Sequence, residues 1–309
     1  MKRGRAIVGF FFEGLCRGCA LLVCGLVVVI LGFIFSKGAK TISWEFLSTA
    51  PSQGMTHGGI FPAIFGTLAI TLLMIVMALP LGVAAAVYLN EYANRGRAAR
   101  VIRAAINNLA GVPSIVFGLF GVGFFILFVG RNLDKVLHTG LLFGQPALLW
   151  ASATLAILVL PVIIVSTEEA LKAVPLSHRE AAYGLGATRW QMIRRVVLPQ
   201  SLPGILTGAI LSISRGAGET APILFTGAAY FLPRLPVTKI FGMIPMINPF
   251  DQFMELAYHI FIMATQSTNP ELTRPLQYGT AMVLLSITFG LNLSAILLRI
   301  RFRRRLRRA

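Results

Sequence analysis

Six long stretches without a charged or histidine side chain constrain this chain more than any other feature of its sequence. Each exceeds the roughly 18 apolar residues that cross a hydrocarbon layer about 30 Å thick as a helix rising about 1.5 Å per residue. No soluble domain of useful size remains between the stretches. The expected fold class is therefore an all-α polytopic membrane protein with one transmembrane domain over 19–298. Its six predicted helices span about 19–36, 61–88, 106–129, 145–166, 201–228 and 277–298.

The composition excludes other classes of protein. Of the 309 residues, 56% are hydrophobic and only 13% are charged, and the mean hydropathy is +0.77, which does not describe a soluble chain. Three cysteines are too few for a disulfide framework. A net charge of +17 would suggest nucleic acid as the partner of a soluble protein, but a membrane protein places such charge against the anionic inner surface of the bilayer.

The distribution of Lys and Arg predicts the orientation. The segments before the first span, at 90–103, at 167–200 and after residue 298 carry 20 of the 28 cations, and the segments on the opposite side carry seven. Because short cation-rich loops stay in the cytoplasm, we expect a multi-pass protein of the plasma (inner) membrane with both termini cytoplasmic. The N-terminal segment 1–18 is expected to be retained, and the basic tail 299–309 to anchor on lipid phosphates rather than on nucleic acid.

Motifs of nucleotide hydrolysis and metal binding are missing from the sequence. It has no G-x-x-x-x-G-K-[ST] phosphate loop and no H-E-x-x-H, so nucleotide hydrolysis is not expected in this chain. Cys16 and Cys19 have no further ligands near them, and the four histidines are scattered. The chain is therefore expected to be neither an enzyme nor a metal or cofactor protein.

The cation-rich loop 168–199 predicts two short helices on the inner face of the membrane. Ser177 is expected to cap the first helix in a capping box with Glu180, and Gly184 and Gly186 supply a turn. The second helix is expected to run from Thr188 to 197 with one apolar face. Such a pair suits insertion into the groove of a partner protein; a solvated interfacial helix pair is the alternative.

The same loop carries a spacing that resembles the EAA loop of ABC importer permeases, EAA-x3-G-x9-I-x-L-P, with Val in place of Ile. This resemblance implies a type I, MetI-like permease bundle whose coupling helices dock into a separate ATPase subunit. The matching residues are Glu180, Ala181, Ala182, Gly186, Val196, Leu198 and Pro199.

Further stretches are similar to the permeases of phosphate ABC importers. Residues 59–67, 79–92 and 109–119 fit both membrane subunits of that importer, whereas 166–171 (STEEAL) and 218–227 (GETAPILFTG) resemble the PstA-type subunit. The resemblance implies phosphate as the substrate, a PstC-type second permease, a PstS-type phosphate-binding protein and two copies of a PstB-type ATPase that use ATP and Mg. The alternatives are the PstC-type subunit, a permease for another oxyanion, or an ion-driven carrier or channel.

Two sets of residues in the fifth span are candidates for function. Arg215 and Glu219 are costly inside a membrane, so they either neutralise one another or face a polar pathway in which the guanidinium binds an oxyanion. Small residues beside them favour close helix packing, within this chain or against the second permease. These small residues are Gly204, Gly208, Ser212 and Gly216.

The outer segment 230–274 is too long for a tight turn. Apolar side chains recur at helical spacing from Phe250 to Phe261, and Asp251, Glu255 and His259 lie on another face. This pattern predicts an amphipathic helix at the membrane interface, which either borders the surface for an external binding protein or simply lies on the bilayer.

Overall fold

The computed structural model describes residues 2–93, 96–240, 244–267 and 269–306. Arg95 and the last three residues of the predicted basic tail lie outside this range. The described chain is mostly helical, with two small antiparallel hairpins. The helices are α1 (Lys2–Gly38), α2 (Trp44–Ser48), α3 (Phe61–Val87), α4 (Arg97–Leu109), α5 (Ser114–Phe120), α6 (Arg131–Leu137), α7 (Leu148–Lys172), α8 (Leu176–Gly184), α9 (Arg189–Met192), α10 (Leu198–Gly216), α11 (Leu256–Thr265) and α12 (Pro270–Leu306). The strands are β1 (Pro51–Ser52), β2 (His57–Gly58), β3 (Val237–Ile240) and β4 (Ile244–Ile247).

Wider π-helical turns extend three of the helices. They continue α3 at its end, join α5 to α6, and join α9 to α10, so that each of these pieces forms part of one longer helix. The π-helical segments are Tyr88–Tyr92, Gly121–Gly130 and Ile193–Val197.

The predicted number of transmembrane helices is confirmed, because six helical segments are long and apolar enough to cross a membrane. They are Phe12–Thr41, Phe61–Tyr92, Ser114–Leu137, Leu148–Lys172, Arg189–Gly216 and Pro270–Arg304.

Helix α7 is the centre of the bundle. It packs against α3 and α10, and its side chains Leu155 and Ile163 are fully buried. Within its most apolar stretch 72% of the residues are buried, compared with 0% in α1 and 6% in α12. Helices α1 and α12 pack on one another at the edge of the bundle, and their remaining apolar surface faces outward, as lipid contact requires.

The predicted start of the third span, at residue 106, is wrong. Residues up to Leu109 belong to α4, a separate amphipathic helix, and the span begins only at Ser114. Pro113 lies between the two helices in an extended conformation (φ −57°, ψ 138°). Because a proline disfavours helical geometry in the residue before it, α4 cannot continue into the span.

The predicted end of the fifth span, at residue 228, is also wrong. Helix α10 ends at Gly216, and residues 217–227 form turns that pack inside the protein, with Ile223 and Thr226 fully buried. The backbone N–H of Ala229 donates to the carbonyl of Phe253 at 2.8 Å, which ties this segment to the outer segment. Irregular backbone at this depth is tolerated because neighbouring protein satisfies it.

The outer segment also differs from its prediction. Helix α11 begins only at Leu256, and the residues before it are irregular except for β3 and β4. Phe253, Glu255 and His259 are buried rather than divided between an apolar and a polar face. The segment therefore closes over the ends of α3 and α12 instead of lying on the membrane surface as an amphipathic helix.

Glu255 and His259 are two buried titratable side chains at the start of α11. Glu255 Oε2 accepts a hydrogen bond from the backbone N–H of Tyr258 at 2.7 Å, and Oε1 accepts one from the hydroxyl of Thr67 at 3.4 Å. Burial raises the pKa of Glu255 from 4.5 to about 7 and lowers the pKa of His259 from 6.5 to about 4. Between these values both side chains are neutral in the folded protein.

Thermal unfolding of the detergent-purified protein is expected to separate the two groups. The free energy of unfolding that the raised pKa of Glu255 contributes is fully present below pH 4.5. It is lost as the pH rises towards about 7. His259 acts in the opposite direction, because its lowered pKa makes stability rise from about pH 4 to pH 6.5. Between pH 4.5 and 6.5 the two effects oppose one another. We therefore expect these two side chains to leave the Tm of the unchanged protein nearly independent of pH in this range. Glu255→Gln should give a Tm that rises with pH and His259→Gln one that falls; equal slopes in both variants would contradict this assignment.

Candidate functional site

The loop between α7 and α10 forms two short helices, as the sequence predicts, but the capping differs. Helix α8 begins at Leu176 behind Pro175 and has no side-chain cap, so the capping box predicted for Ser177 and Glu180 is wrong. Pro175 occupies the N-cap position, so Ser177 lies inside the first turn of the helix and cannot cap it. The capping box stands at α9 instead, where Thr188 and Gln191 bond each other's backbone N–H at 2.9 and 3.3 Å.

One face of this loop is buried against the bundle. Ile193 and Val197 are fully buried, and Ala182 is nearly so. They belong to an apolar cluster with the end of α3, around Leu89, and the end of α7, around Leu171. The loop is therefore seated firmly on the two helices that form most of the core.

The opposite face of the loop is exposed and carries large apolar side chains. Leu185 is 90% exposed, and Leu176, Tyr183 and Trp190 are also exposed. Glu180, Ala181 and Gly186 lie on this exposed surface, and Val196, Leu198 and Pro199 are half-buried behind it. An exposed apolar patch of this kind is typical of a protein interface. The exposure of Leu176 and Leu185 is not evident from the helical periodicity, because both lie at helix ends.

Arg215 and Glu219 form an ion pair, with 3.3 Å between Nε and Oε1. They do not share a helix, because α10 ends at Gly216 and Glu219 lies in the turn beyond it. The side chain of Arg215 is 36% exposed and that of Glu219 is 19% exposed. Within the described part of the chain, the bond to Glu219 is the one hydrogen bond of this guanidinium, so both Nη groups remain available.

The four small residues of α10 pack inside this chain. A side chain at Gly204 would meet Ala170 of α7, and one at Gly208 would meet Ser166 of the same helix. Gly216 lies against Met74 of α3. Ser212 is fully buried. The contacts of the three glycines are to α7 and α3 of this chain.

Among the residues that the structure describes, no group of three or more His, Cys, Asp or Glu side chains is able to hold a metal ion. The three cysteines are free and exposed on α1.

Two solved ABC transporters contain a chain with this fold. One is a bacterial ABC transporter involved in the import of the acidic polysaccharide alginate, with a TM-score of 0.61 and 16% identity over 94% of this chain and 98% of that one. Another is the MetNI methionine ABC transporter in an inward-facing conformation, with a TM-score of 0.57 and 18% identity over 78% of this chain and 94% of that one. These likenesses define the fold class of the chain, the MetI-like fold of these ABC transporters.

Sequence comparison then gives the family. Residues 78–308 match the binding-protein-dependent transport system inner membrane component family, and the chain belongs to it. It is a transporter subunit rather than an enzyme, and the ATPase of such a system is a separate subunit.

Individual relatives are consistent with this family. The probable ABC transporter permease protein YqgI of Bacillus subtilis is 30% identical over 92% of each chain. The phosphate transport system permease protein PstA 1 of Mycobacterium tuberculosis is 38% identical over 78% of this chain and 71% of its own length. PstA of Yersinia pestis is 35% identical over 77% of this chain and 79% of its own.

Proposed function

We propose that this chain is the PstA-type permease subunit of an ATP-driven phosphate importer of the inner membrane. The observation that carries the proposal is the 38% identity to a phosphate transport permease over 244 residues. This similarity extends across most of the chain, well beyond the EAA spacing. Arg215, with both Nη groups available at the end of α10, supplies chemistry that suits an oxyanion.

The proposal includes the orientation and the division of the chain. The α8–α9 loop lies on the cytoplasmic side, together with the segment 1–18 and the tail 299–309, because these carry most of the cations. The transmembrane domain is 19–298, with the coupling loop at 168–199 and the outer segment 230–274 on the opposite side. The outer segment is then the part of this chain that an external binding protein reaches.

The proposed partners divide the work of transport. A PstS-type protein delivers phosphate, a PstC-type subunit supplies the other half of the pathway, and two PstB-type ATPases bind ATP and Mg. Closure of the ATPases moves the exposed face of α8 and α9, around Leu185 and Trp190. The buried face of the same loop transfers that movement to the ends of α3 and α7.

Arg215 and Glu219 are assigned to the substrate pathway. Glu219 accepts from Nε and fixes the plane of the guanidinium. The two Nη groups then form a fork whose geometry matches two oxygens of a tetrahedral oxyanion. Glu219 also offsets part of the cost of holding a cation at this depth.

Reconstitution in proteoliposomes tests the proposal. Labelled phosphate uptake is measured with this chain alone, and then with the candidate ATPase, second permease and binding protein, with and without ATP. Uptake only in the complete set with ATP supports the proposal, and competition with sulfate tests phosphate against another oxyanion. Uptake by the chain alone, driven by an ion gradient, would overturn it in favour of an autonomous carrier.

Gly186 is expected to be essential for the shape of the coupling loop. Its φ of +78° lies in the left-handed region, and a side chain there would meet nothing within 4 Å, so substitution acts through the backbone alone. The left-handed conformation costs an ordinary residue about 1–2 kcal/mol, and less for Asn. We expect Gly186→Val to reduce both the ATPase that copurifies with the complex and the uptake per ATP hydrolysed. Gly186→Asn is the matched control and should stay near the wild type; an equal loss in both variants would contradict the backbone explanation.

A further inference from the structure

A buried carboxylate stands where α3 ends beneath the coupling loop. Glu91 lies in the π-helical turn that continues α3, and only 6% of it is exposed. Both of its carboxylate oxygens accept hydrogen bonds from Arg179 Nη1 at 2.6 Å. Arg179 belongs to α8, 88 residues further along the chain. Hydrogen bonds between charged partners are roughly twice as strong as neutral ones, whereas an exposed salt bridge contributes little.

Arg179 also reaches the neighbouring core helix. Its Nη2 donates to the carbonyl of Leu171, in the last turn of α7, at 2.8 Å. One side chain of α8 therefore bonds the ends of both α3 and α7.

Helix α9, the second short helix of the loop, also contacts the end of α3. Arg189, the first residue of α9, donates to the backbone carbonyl of Glu91. Its guanidinium lies 4.9 Å from the ring centroid of Tyr92. Both short helices of the loop thus converge on the same turn at the end of α3.

Helix α3 connects this turn to the neighbourhood of Arg215. From Glu91 back to Met74 the helix is about 25 Å long at about 1.5 Å per residue. Met74 is fully buried, and its sulfur lies against Gly216, the residue that follows Arg215. A displacement of the end of α3 is therefore carried by one packed helix to the residue beside the guanidinium, because packed interiors transmit strain.

We propose that the Glu91–Arg179 pair is the positioning contact through which movement of the coupling loop drives α3 and, through Met74, the Arg215 region. The inference rests on the proposed function and adds to it the residues that transmit the motion. If the pair only stabilised the fold, removing both charges would restore the function that removing one of them impairs. Removing one partner leaves a buried charge unpaired, whereas removing both leaves none.

The test compares Glu91→Gln, Arg179→Gln and the double variant in the complete reconstituted complex. The readouts are assembly, ATP hydrolysis and phosphate uptake per ATP hydrolysed. We expect hydrolysis within twofold of the wild type and uptake per ATP lower by at least about fivefold, the lower end of usual coupling between linked sites. The double variant should assemble normally and remain uncoupled.

Arg17→Gln is the matched control, because Arg17 pairs with Glu13 at the same 2.6 Å but both side chains are more than half exposed. It should leave uptake per ATP unchanged. Recovery of the wild-type ratio in the double variant would overturn the inference and leave the pair as a stabilising contact. An unchanged ratio in the single variants would overturn it as well.

A second readout keeps this inference separate from the identity of the substrate. A Cβ added at Gly218 would meet nothing within 4 Å, so Gly218→Cys can report on the Arg215 region after the native cysteines Cys16, Cys19 and Cys24 are replaced by serine. We expect the rate of thiol labelling to change with ATP in this background, and the change to disappear when Glu91 and Arg179 are both Gln. If the unchanged complex takes up no phosphate, the proposed function fails. Independently of the substrate, the inference also fails if the ATP-dependent labelling persists in the double variant.

Discussion

Replacing Arg215 by Gln is expected to abolish phosphate uptake while the complex still assembles and binds its ATPase. Gln keeps much of the length of the side chain but loses the charge and the paired Nη donors. Each hydrogen bond between charged partners is worth about 1.5–3 kcal/mol, so loss of the fork should lower uptake by at least about 100-fold. The measurement is ATP-dependent uptake of labelled phosphate in proteoliposomes that hold the complete complex.

The ion pair itself supplies the controls for this prediction. Glu219 is only 19% exposed, so Arg215→Gln also leaves a carboxylate without its partner. The double variant Arg215→Gln with Glu219→Gln removes that penalty and should still fail to take up phosphate. Restored uptake in the double variant would show that Arg215 and Glu219 form only a structural ion pair. Arg215→Lys keeps the charge without the fork and should retain part of the uptake.

The lengths of the uncharged stretches predicted the number of spans, but not where the third span begins or where the fifth span ends. Hydrophobicity continues across Pro113 and across Gly216, although the backbone cannot remain helical at the first and leaves the helix at the second. Composition reports how far an apolar segment extends, whereas helix geometry depends on individual residues that barely alter the composition. The same limit explains the outer segment, where burial by neighbouring helices decides the environment of Glu255.

The candidate site was predictable in its local parts and not in its long-range contacts. The spacing of Arg215 and Glu219 identified a pair that does form, although it joins a helix end to a turn. Glu91 and Arg179 gave no such signal, because 88 residues separate them and each lies in a charged segment. Only the packing of α8 against the end of α3 brings them together.

Replacing Gly208 by Ala is expected to separate α10 from α7. A single methyl group at Gly208 would overlap Ser166 Oγ and lie 2.9 Å from Ser166 Cβ. Adding even one carbon to a packed core costs about 1–3 kcal/mol, because neighbouring helices must shift. The expected result is a lower Tm of the detergent-purified protein, together with weaker uptake, since Arg215 lies two turns further along α10.

A size exchange across the seam tests whether this contact is the cause. Ser166→Gly removes the atoms that the new methyl group would meet, so the double variant Gly208→Ala with Ser166→Gly should recover most of the lost stability. Gly32→Ala is the matched control, because Gly32 lies in the lipid-facing helix α1 with nothing within 4 Å of an added carbon. Alanine favours a helix over glycine by about 1 kcal/mol, so the control should leave Tm unchanged or slightly higher. If Gly208→Ala behaves like Gly32→Ala, the small residues of α10 do not set the distance between α10 and α7, and close packing does not explain their spacing.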